Sequence, residues 1–110
     1  MANLQLTWDS SAMASATDID SLHVITIDND VTASFPQTNN QITAAAAETF
    51  AATAGATVIT QSLTKTGGAW PTSYTHQNVT NPGNGKTWGV FSYNTAGYGP
   101  GTVFYFNNFT

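Results

Sequence analysis

Two pairs of aspartates have the residue type and spacing that could bind a metal ion. Asp18 and Asp20 precede a β-branched segment of seven residues, and Asp28 and Asp30 follow it. Calcium takes about six to eight oxygen ligands, which carboxylates and loop carbonyls can supply. An extended segment of this length would hold the pairs roughly 20 Å apart, so they cannot share one ion. Calcium is therefore a candidate cofactor. The alternative is that these aspartates are turn residues, since Asp side chains readily bond nearby amides.

Other residue types capable of chemistry are too scattered to form a recognisable active site. His23 and His76 lie 53 positions apart without metal-ligand spacing, and Glu48 is the only glutamate. None of the eight serines stands in a nucleophile elbow, and no cysteine is present to act as a nucleophile or to bind zinc. Residues 97–101 are rich in glycine but lack the lysine of a phosphate-binding loop. We therefore expect a protein without enzymatic activity.

Aromatic residues are concentrated near the end of the sequence, where they could form a binding surface. Ten of the 13 lie within the last 41 positions. Trp70, Tyr74, Trp88 and Tyr98 lie in or near segments rich in Gly, Asn and Thr, where rings could stack on a sugar and polar groups could bond its hydroxyls. The same residues also suit a protein interface. A third alternative is core packing, because a small β domain with few aliphatic residues must fill itself with aromatics.

The polar surface of this protein must be largely uncharged. Only 7% of residues are charged, with Lys+Arg 2 and Asp+Glu 6, against about 25% in a typical soluble domain. Ser, Thr, Asn and Gln make up 42 of the 110 residues. A low charge density promotes association, and two cations cannot neutralise a nucleic-acid backbone. We expect contacts with copies of the chain, with a larger protein lattice or with glycans, and none with nucleic acid. A charge-poor monomer is the alternative.

Neither a membrane span nor a signal peptide is visible in the sequence. No apolar run approaches the roughly 20 residues that cross a bilayer. The opening residues Met1-Ala2-Asn3-Leu4 show no basic region followed by an apolar one. A chain of this kind could leave the cell by lysis, and a charge-poor surface suits an ordered external assembly. We therefore expect a virion or extracellular location.

Alternation of apolar and polar residues predicts six to eight short strands. The segments concerned are residues 3–8, 21–27, 31–35, 57–64, 73–80, 86–93 and 102–110. The dipeptide Asn84-Gly85 is typical of a two-residue hairpin turn between paired strands. Residues 97–101 contain three glycines and a proline, which predict a turn before the last strand.

One short helix is predicted near residues 43–54. Four successive alanines and Glu48 favour helix, Thr43 is a suitable N-cap, and Gly55 is a suitable stop. A strand rich in Ala and Thr is the alternative. The length fits one domain over residues 1–110. Together these elements predict an all-β fold, a small antiparallel β-sandwich or barrel with one helix.

Two segments resemble the opening strands of fibronectin-type and related bacterial β-sandwich domains. They are Leu6-Thr7-Trp8-Asp9 and the run from Asp18 to Val24, and the stretch that they bound, residues 6–24, covers about a fifth of the chain. In such domains a Trp-bearing strand is followed by a strand that ends in an apolar-x-apolar pair. The resemblance implies an immunoglobulin-like or fibronectin-like sandwich and implies nothing about function.

These observations favour a structural, non-enzymatic subunit. Its first expected role is that of a virion surface or decoration protein, and its second that of an extracellular filament subunit. The end segments, residues 1–8 and 102–110, would add to a neighbour's sheet. The expected interface residues are Leu4, Leu6, Phe104, Phe106 and Phe109. A carbohydrate-binding module or lectin that uses Trp70, Tyr74, Trp88 and Tyr98 is the alternative from another functional class.

Overall fold

The computed structural model describes residues 1–13, 16–32 and 42–109 of the chain. Within these residues the elements are β1 (Ala2–Thr7), β2 (Ser21–Asp28), α1 (Ala44–Ala52), β3 (Thr57–Leu63), β4 (Ser73–Val79), β5 (Lys86–Asn94) and β6 (Gly97–Phe106). A single 3-10 turn, Ser11–Met13, follows β1. The predicted class, a mostly β chain with one short helix, is confirmed.

The strands form two antiparallel sheets. The larger sheet has the strand order β3-β2-β5-β6, and the smaller one pairs β1 with β4. The central strands β2 and β5 pair without a register shift, from Ser21 opposite Tyr93 to Asp28 opposite Lys86. Both strands are rich in β-branched and aromatic residues, and most of their side chains are buried. This central pair is the most regular part of the fold.

One face of the four-stranded sheet packs against the two-stranded sheet. Leu22 and Val24 of β2 and Trp88 and Val90 of β5 point to this side, because alternate residues of a strand share a face. Leu6 of β1 packs against them from the opposite sheet. Two sheets with an apolar layer between them form a small β-sandwich, as the sequence predicted.

The other face of the four-stranded sheet packs against α1. Ile25, Phe91 and Val103 point to this side and form a second cluster with Ala47 and Phe50 of the helix. The Phe50 and Phe91 rings meet edge to face, with centroids 5.6 Å apart and an interplanar angle of 65°. The larger sheet therefore has elements packed against both of its faces.

The helix begins and ends where the local sequence predicts. The Thr43 hydroxyl accepts a hydrogen bond from the backbone N–H of Ala46 at 3.2 Å, which satisfies one of the unpaired donors of the first turn. Helix α1 then ends at Ala52, and Gly55 follows with a φ of 86°. The predicted helix over residues 43–54 is confirmed.

The strand predictions differ from the structure mainly at the ends of the elements. Five predicted segments correspond to β1, β2, β3, β4 and β5, and none of their ends differs by more than one residue. The predicted strand over residues 31–35 falls largely on residues 33–35, which lie outside the described residues. Its first two residues, Val31 and Thr32, do not belong to a strand.

The prediction that Asn84-Gly85 closes a hairpin was wrong. Strands β4 and β5, on either side of this dipeptide, belong to different sheets and do not pair. Gly85 does adopt the left-handed φ of 81° that favours glycine. The Asn84 carbonyl accepts a hydrogen bond from the Tyr105 hydroxyl at 3.0 Å, so the dipeptide packs against β6 instead.

The prediction of a turn over residues 97–101 was also wrong, because these residues form the first half of β6. The hairpin turn lies between Asn94 and Gly97, which pair with each other. Asn94 Oδ1 accepts a hydrogen bond from the Ala96 N–H at 2.8 Å, the contact typical of an Asx turn.

We expect Phe50 to anchor α1 to the sheet. Phe50→Ala should lower the free energy of unfolding by about 3–5 kcal/mol, because it leaves a cavity against Phe91. Phe50→Leu fills part of that space and should lower the free energy of unfolding by a smaller amount. The matched control is Thr49→Ala on the exposed face of the same helix turn, which should change stability by about 0.5 kcal/mol or less. Urea unfolding measures all three, and equal losses for Phe50→Ala and Thr49→Ala would contradict this role.

Candidate functional site

Three of the four sheet edges carry features that hinder the addition of a further strand. β3 shifts register twice against β2. β4 has an extra residue opposite β1 and contains Asn78 with a φ of 58°. β6 contains Pro100, and its outer side makes a bridge between Gly101 and Ile42. Bulges, prolines and covering segments are the usual means by which proteins block their edges.

The outer edge of β1 lacks these features. The strand reads Ala-Asn-Leu-Gln-Leu-Thr and contains no charged residue and no proline. Its side chains alternate, with Leu4 and Leu6 toward the core and Asn3, Gln5 and Thr7 exposed. Among the described residues β1 pairs with β4 alone, so its other edge offers unpaired backbone N–H and C=O groups. This edge is the candidate functional site.

Three of the five expected interface residues remain partly accessible, and two do not. Leu4, Phe104 and Phe106 are half-buried against the inter-sheet core. Leu6 is fully buried, and Phe109 is 9% exposed and packs on Trp88. Leu6 and Phe109 therefore stabilise the chain's own core, and their predicted role as interface anchors is corrected here. The sequence did not reveal this, because burial depends on which layer covers each strand.

The four aromatic residues of the carbohydrate-binding alternative do not form one surface. Trp70 is 6% exposed and Trp88 is fully buried, so neither ring offers a face on which a sugar could stack. Tyr74 is half-buried and packs against the inter-sheet core. Tyr98 is half-buried on the opposite face of the larger sheet. The predicted role of Trp70 and Trp88 as stacking platforms is corrected, since both belong to the core.

Trp88 reaches across the sandwich to His76. Its indole Nε1–H donates a hydrogen bond of 3.0 Å to Nδ1 of His76 on β4. An acceptor at Nδ1 requires a neutral imidazole. Burial first, and then the positive charge of Lys86, lower the pKa of His76 below its ordinary value of 6.5. This hydrogen bond joins the two sheets and depends on the charge state of His76.

The other histidine, His23, is buried in an aromatic cluster that sequence reasoning missed. His23 stacks on Tyr93 with ring centroids 4.1 Å apart, and its Nδ1 lies 3.1 Å from the Tyr98 hydroxyl. Burial lowers the pKa of His23. Burial, followed by the nearby Tyr93 and Glu48, raises the pKa of Tyr98. The Tyr98 hydroxyl therefore stays protonated, and the tautomer of the neutral imidazole decides which of the two groups donates the hydrogen bond. Only the presence of His23 within a β-branched strand indicated a packed residue.

The aspartate pairs lie at opposite ends of β2, as their spacing predicted. The Asp28 carboxylate pairs with the Lys86 ammonium on the adjacent strand. Asp30 Oδ1 accepts a hydrogen bond from the Thr32 N–H at 3.1 Å, as a turn residue does. In the described part of the chain, no three His, Cys, Asp or Glu side chains meet at one point. Calcium binding therefore stays a prediction.

A pocket opens at the end of the sandwich beside the last residues of β1. It has a volume of about 250 Å³ and is lined by apolar side chains that include Trp8, Met13, Ile19 and Leu22. Residues of β5 and β6 complete its wall, so this end of β1 lies on the β6 side of the larger sheet. The two-stranded sheet thus leaves part of the larger sheet uncovered here.

Comparison with known proteins gives no relative from which a function could be transferred. No protein-family model, no curated protein and no solved structure matches this chain. Within the described residues, no helix is both long enough and apolar enough to span a membrane.

We expect acid to weaken the fold through its two histidines, of which His23 is buried and His76 is half-buried. Because burial lowers the pKa of His23 and His76 in the folded chain, the unfolded chain binds protons first as the pH falls. The stability that depends on neutral histidines is complete above the unfolded pKa of about 6.5 and is lost as the pH falls below it. The amide oxygen of His76→Gln can still accept a hydrogen bond from Trp88, but this side chain does not titrate. The variant should therefore lose less stability per pH unit than the wild type. Urea unfolding between pH 7.5 and 5.5 measures it, and a flat wild-type profile would contradict the prediction.

The calcium prediction can be checked by thermal unfolding with millimolar calcium chloride or with a chelator. An ion bound only by the folded chain stabilises it by about 2.7 kcal/mol at one hundred times its dissociation constant. The melting temperature should then rise in calcium, and Asp18→Asn with Asp20→Asn should abolish the rise if that pair binds the ion. Identical melting curves in calcium and chelator would remove the prediction.

Proposed function

We propose that this chain is a non-enzymatic structural subunit that joins a larger ordered assembly through its strand edges. The first candidate is a virion surface or decoration protein, and the second is an extracellular filament subunit. The observation that carries the proposal is the outer edge of β1, which is uncharged, regular and unpaired among the described residues. Such an edge is a template for a strand from another chain.

The composition of the surface supports the same proposal. With a net charge of −4 spread over 110 residues, copies of the chain repel one another weakly. Exposed side chains of β1, β3 and β4 are almost all Ser, Thr, Asn or Gln. These groups can bond to a neighbour without the desolvation cost of burying an unpaired charge. A close lateral contact is therefore less costly for this surface than for one rich in Lys and Glu.

A strand ladder alone would not hold such an assembly together. A pair of six-residue strands forms about six backbone hydrogen bonds, each with a net contribution of about 0.5–1.5 kcal/mol. Association costs roughly 4–15 kcal/mol in lost freedom of motion, so the ladder by itself is marginal. Burying about 200 Å² of apolar surface would add about 5 kcal/mol. The half-buried side chains of Leu4, Phe104 and Phe106 can supply apolar area of this kind.

The proposal is tested by the same substitution on three edges. Gln5 on β1, Gln61 on β3 and Gln77 on β4 are all exposed, so Gln→Lys makes one chemical change at each edge. Light scattering against concentration should show assembly of the wild type, and at least one lysine variant should raise the required concentration about tenfold or more. Ala45→Lys on the exposed side of α1 is the control and should assemble as the wild type does.

Two results would overturn the proposal. One is a wild-type chain that stays monomeric up to about millimolar concentration, where contacts of about 4 kcal/mol become visible. The other is assembly that none of the three edge variants weakens relative to Ala45→Lys. Circular dichroism of each variant separates a loss of assembly from a loss of folding.

A further inference from the structure

We infer that the β1 strands of two copies pair in antiparallel fashion about a two-fold axis at Gln5. This pairing would join two two-stranded sheets into one four-stranded sheet with the order β4-β1-β1-β4. The inference rests on the proposed function and goes beyond it, because it names the edge, the partner and the register. Of the four edges, β1 alone is free of bulges, of prolines and of a bridging segment among the described residues.

The two-stranded sheet is the element that gains most from a further strand. Two paired strands are marginally stable in water, and three or more strands with an apolar face are usually needed. The four-stranded sheet already meets this requirement, whereas the β1–β4 pair depends on packing against it. Pairing with a second copy would give each β1 strand neighbours on both sides.

The side-chain pattern of β1 limits self-pairing to registers that keep the apolar residues on one face, and among these the axis at Gln5 pairs the whole stretch from Ala2 to Trp8. With the axis at Gln5, Leu4 lies opposite Leu6 of the second copy, Asn3 lies opposite Thr7, and Gln5 lies opposite itself. Apolar residues then meet on the core side and polar residues on the exposed side. A shift by one residue would place Leu4 opposite Gln5 and reverse the faces. The strand contains no charge, so no like charges meet across the axis.

The same register extends beyond β1 to Trp8. The Trp8 N–H donates a hydrogen bond of 2.9 Å to the Thr72 carbonyl, so the backbone keeps its strand-like pairing to this point. Ala2 of the second copy would lie opposite Trp8, which sets a small side chain against a large one. Trp8 also lines the pocket at this end of the sandwich. Ala2 of the second copy would therefore lie beside this pocket.

Single cysteines test this arrangement, because the chain has no cysteine of its own. A residue paired with itself across an antiparallel axis has Cα atoms about 4.5–5.5 Å apart, within the range that a disulfide spans. Gln5→Cys should form a disulfide-linked dimer under mild oxidation, at the concentration where the wild type assembles. Gln61→Cys and Gln77→Cys, equally exposed on β3 and β4, are matched controls and should crosslink at least tenfold more slowly.

The outcomes separate the inference from the proposed function. If the wild type assembles but Gln61→Cys or Gln77→Cys crosslinks faster than Gln5→Cys, the β1 pairing is wrong and assembly through another edge stands. If the wild type does not assemble, both are wrong. Gln5→Ser, which cannot form a disulfide, shows whether the substitution itself preserves folding and assembly.

Discussion

The hydrogen bond from Trp88 to His76 is the contact on which the two-sheet arrangement depends. The two sheets share no strand, so the side chains packed between them and the connecting segments hold the smaller sheet in place. Trp88 is fully buried and its ring packs against Phe106 and Phe109, which contributes a large apolar area. Burying its indole N–H without a hydrogen-bond partner would lower the free energy of unfolding by about 1–3 kcal/mol. A neutral His76 supplies that partner, and this polar contact adds to the apolar packing that joins the two layers.

This demand on the core explains why Trp70 and Trp88 offer no exposed ring to a ligand. The chain has few aliphatic residues, and the space between two sheets about 10 Å apart must be filled by large side chains. Trp70 and Trp88 meet that need. The exterior is left to hydroxyl and amide side chains, which neither repel copies of the chain nor attract polyanions. The composition therefore favours contact through backbone edges and short polar side chains over recognition of a ligand by exposed rings.

Local features were predictable from the sequence, and contacts between distant segments were not. The helix could be placed because Thr43, the alanine run and Gly55 act within a few residues of one another. The strands followed from alternation, yet alternation does not say which strands pair, and Asn84-Gly85 was therefore misread as a hairpin. The contact between His23 and Tyr98 joins residues 75 positions apart, and no local pattern indicates it. The burial of Leu6 and Trp88 could not be predicted either, because it depends on the layer that covers each strand.

The two sheets differ in how regularly their strands pair, and this difference bears on both stability and the proposed assembly. The β2–β5 pair is uninterrupted and covered on both faces, so it can hold the fold of a single copy. The β1–β4 pair is short, contains a bulge and has no third strand among the described residues. A third strand from the same chain would stabilise the smaller sheet but would also remove its free edge. In the part of the chain that the structure describes, the smaller sheet has two strands, and β1 is held extended by its pairing with β4. Under the proposed pairing, a neighbouring molecule would supply the third strand and the gain in stability that comes with it.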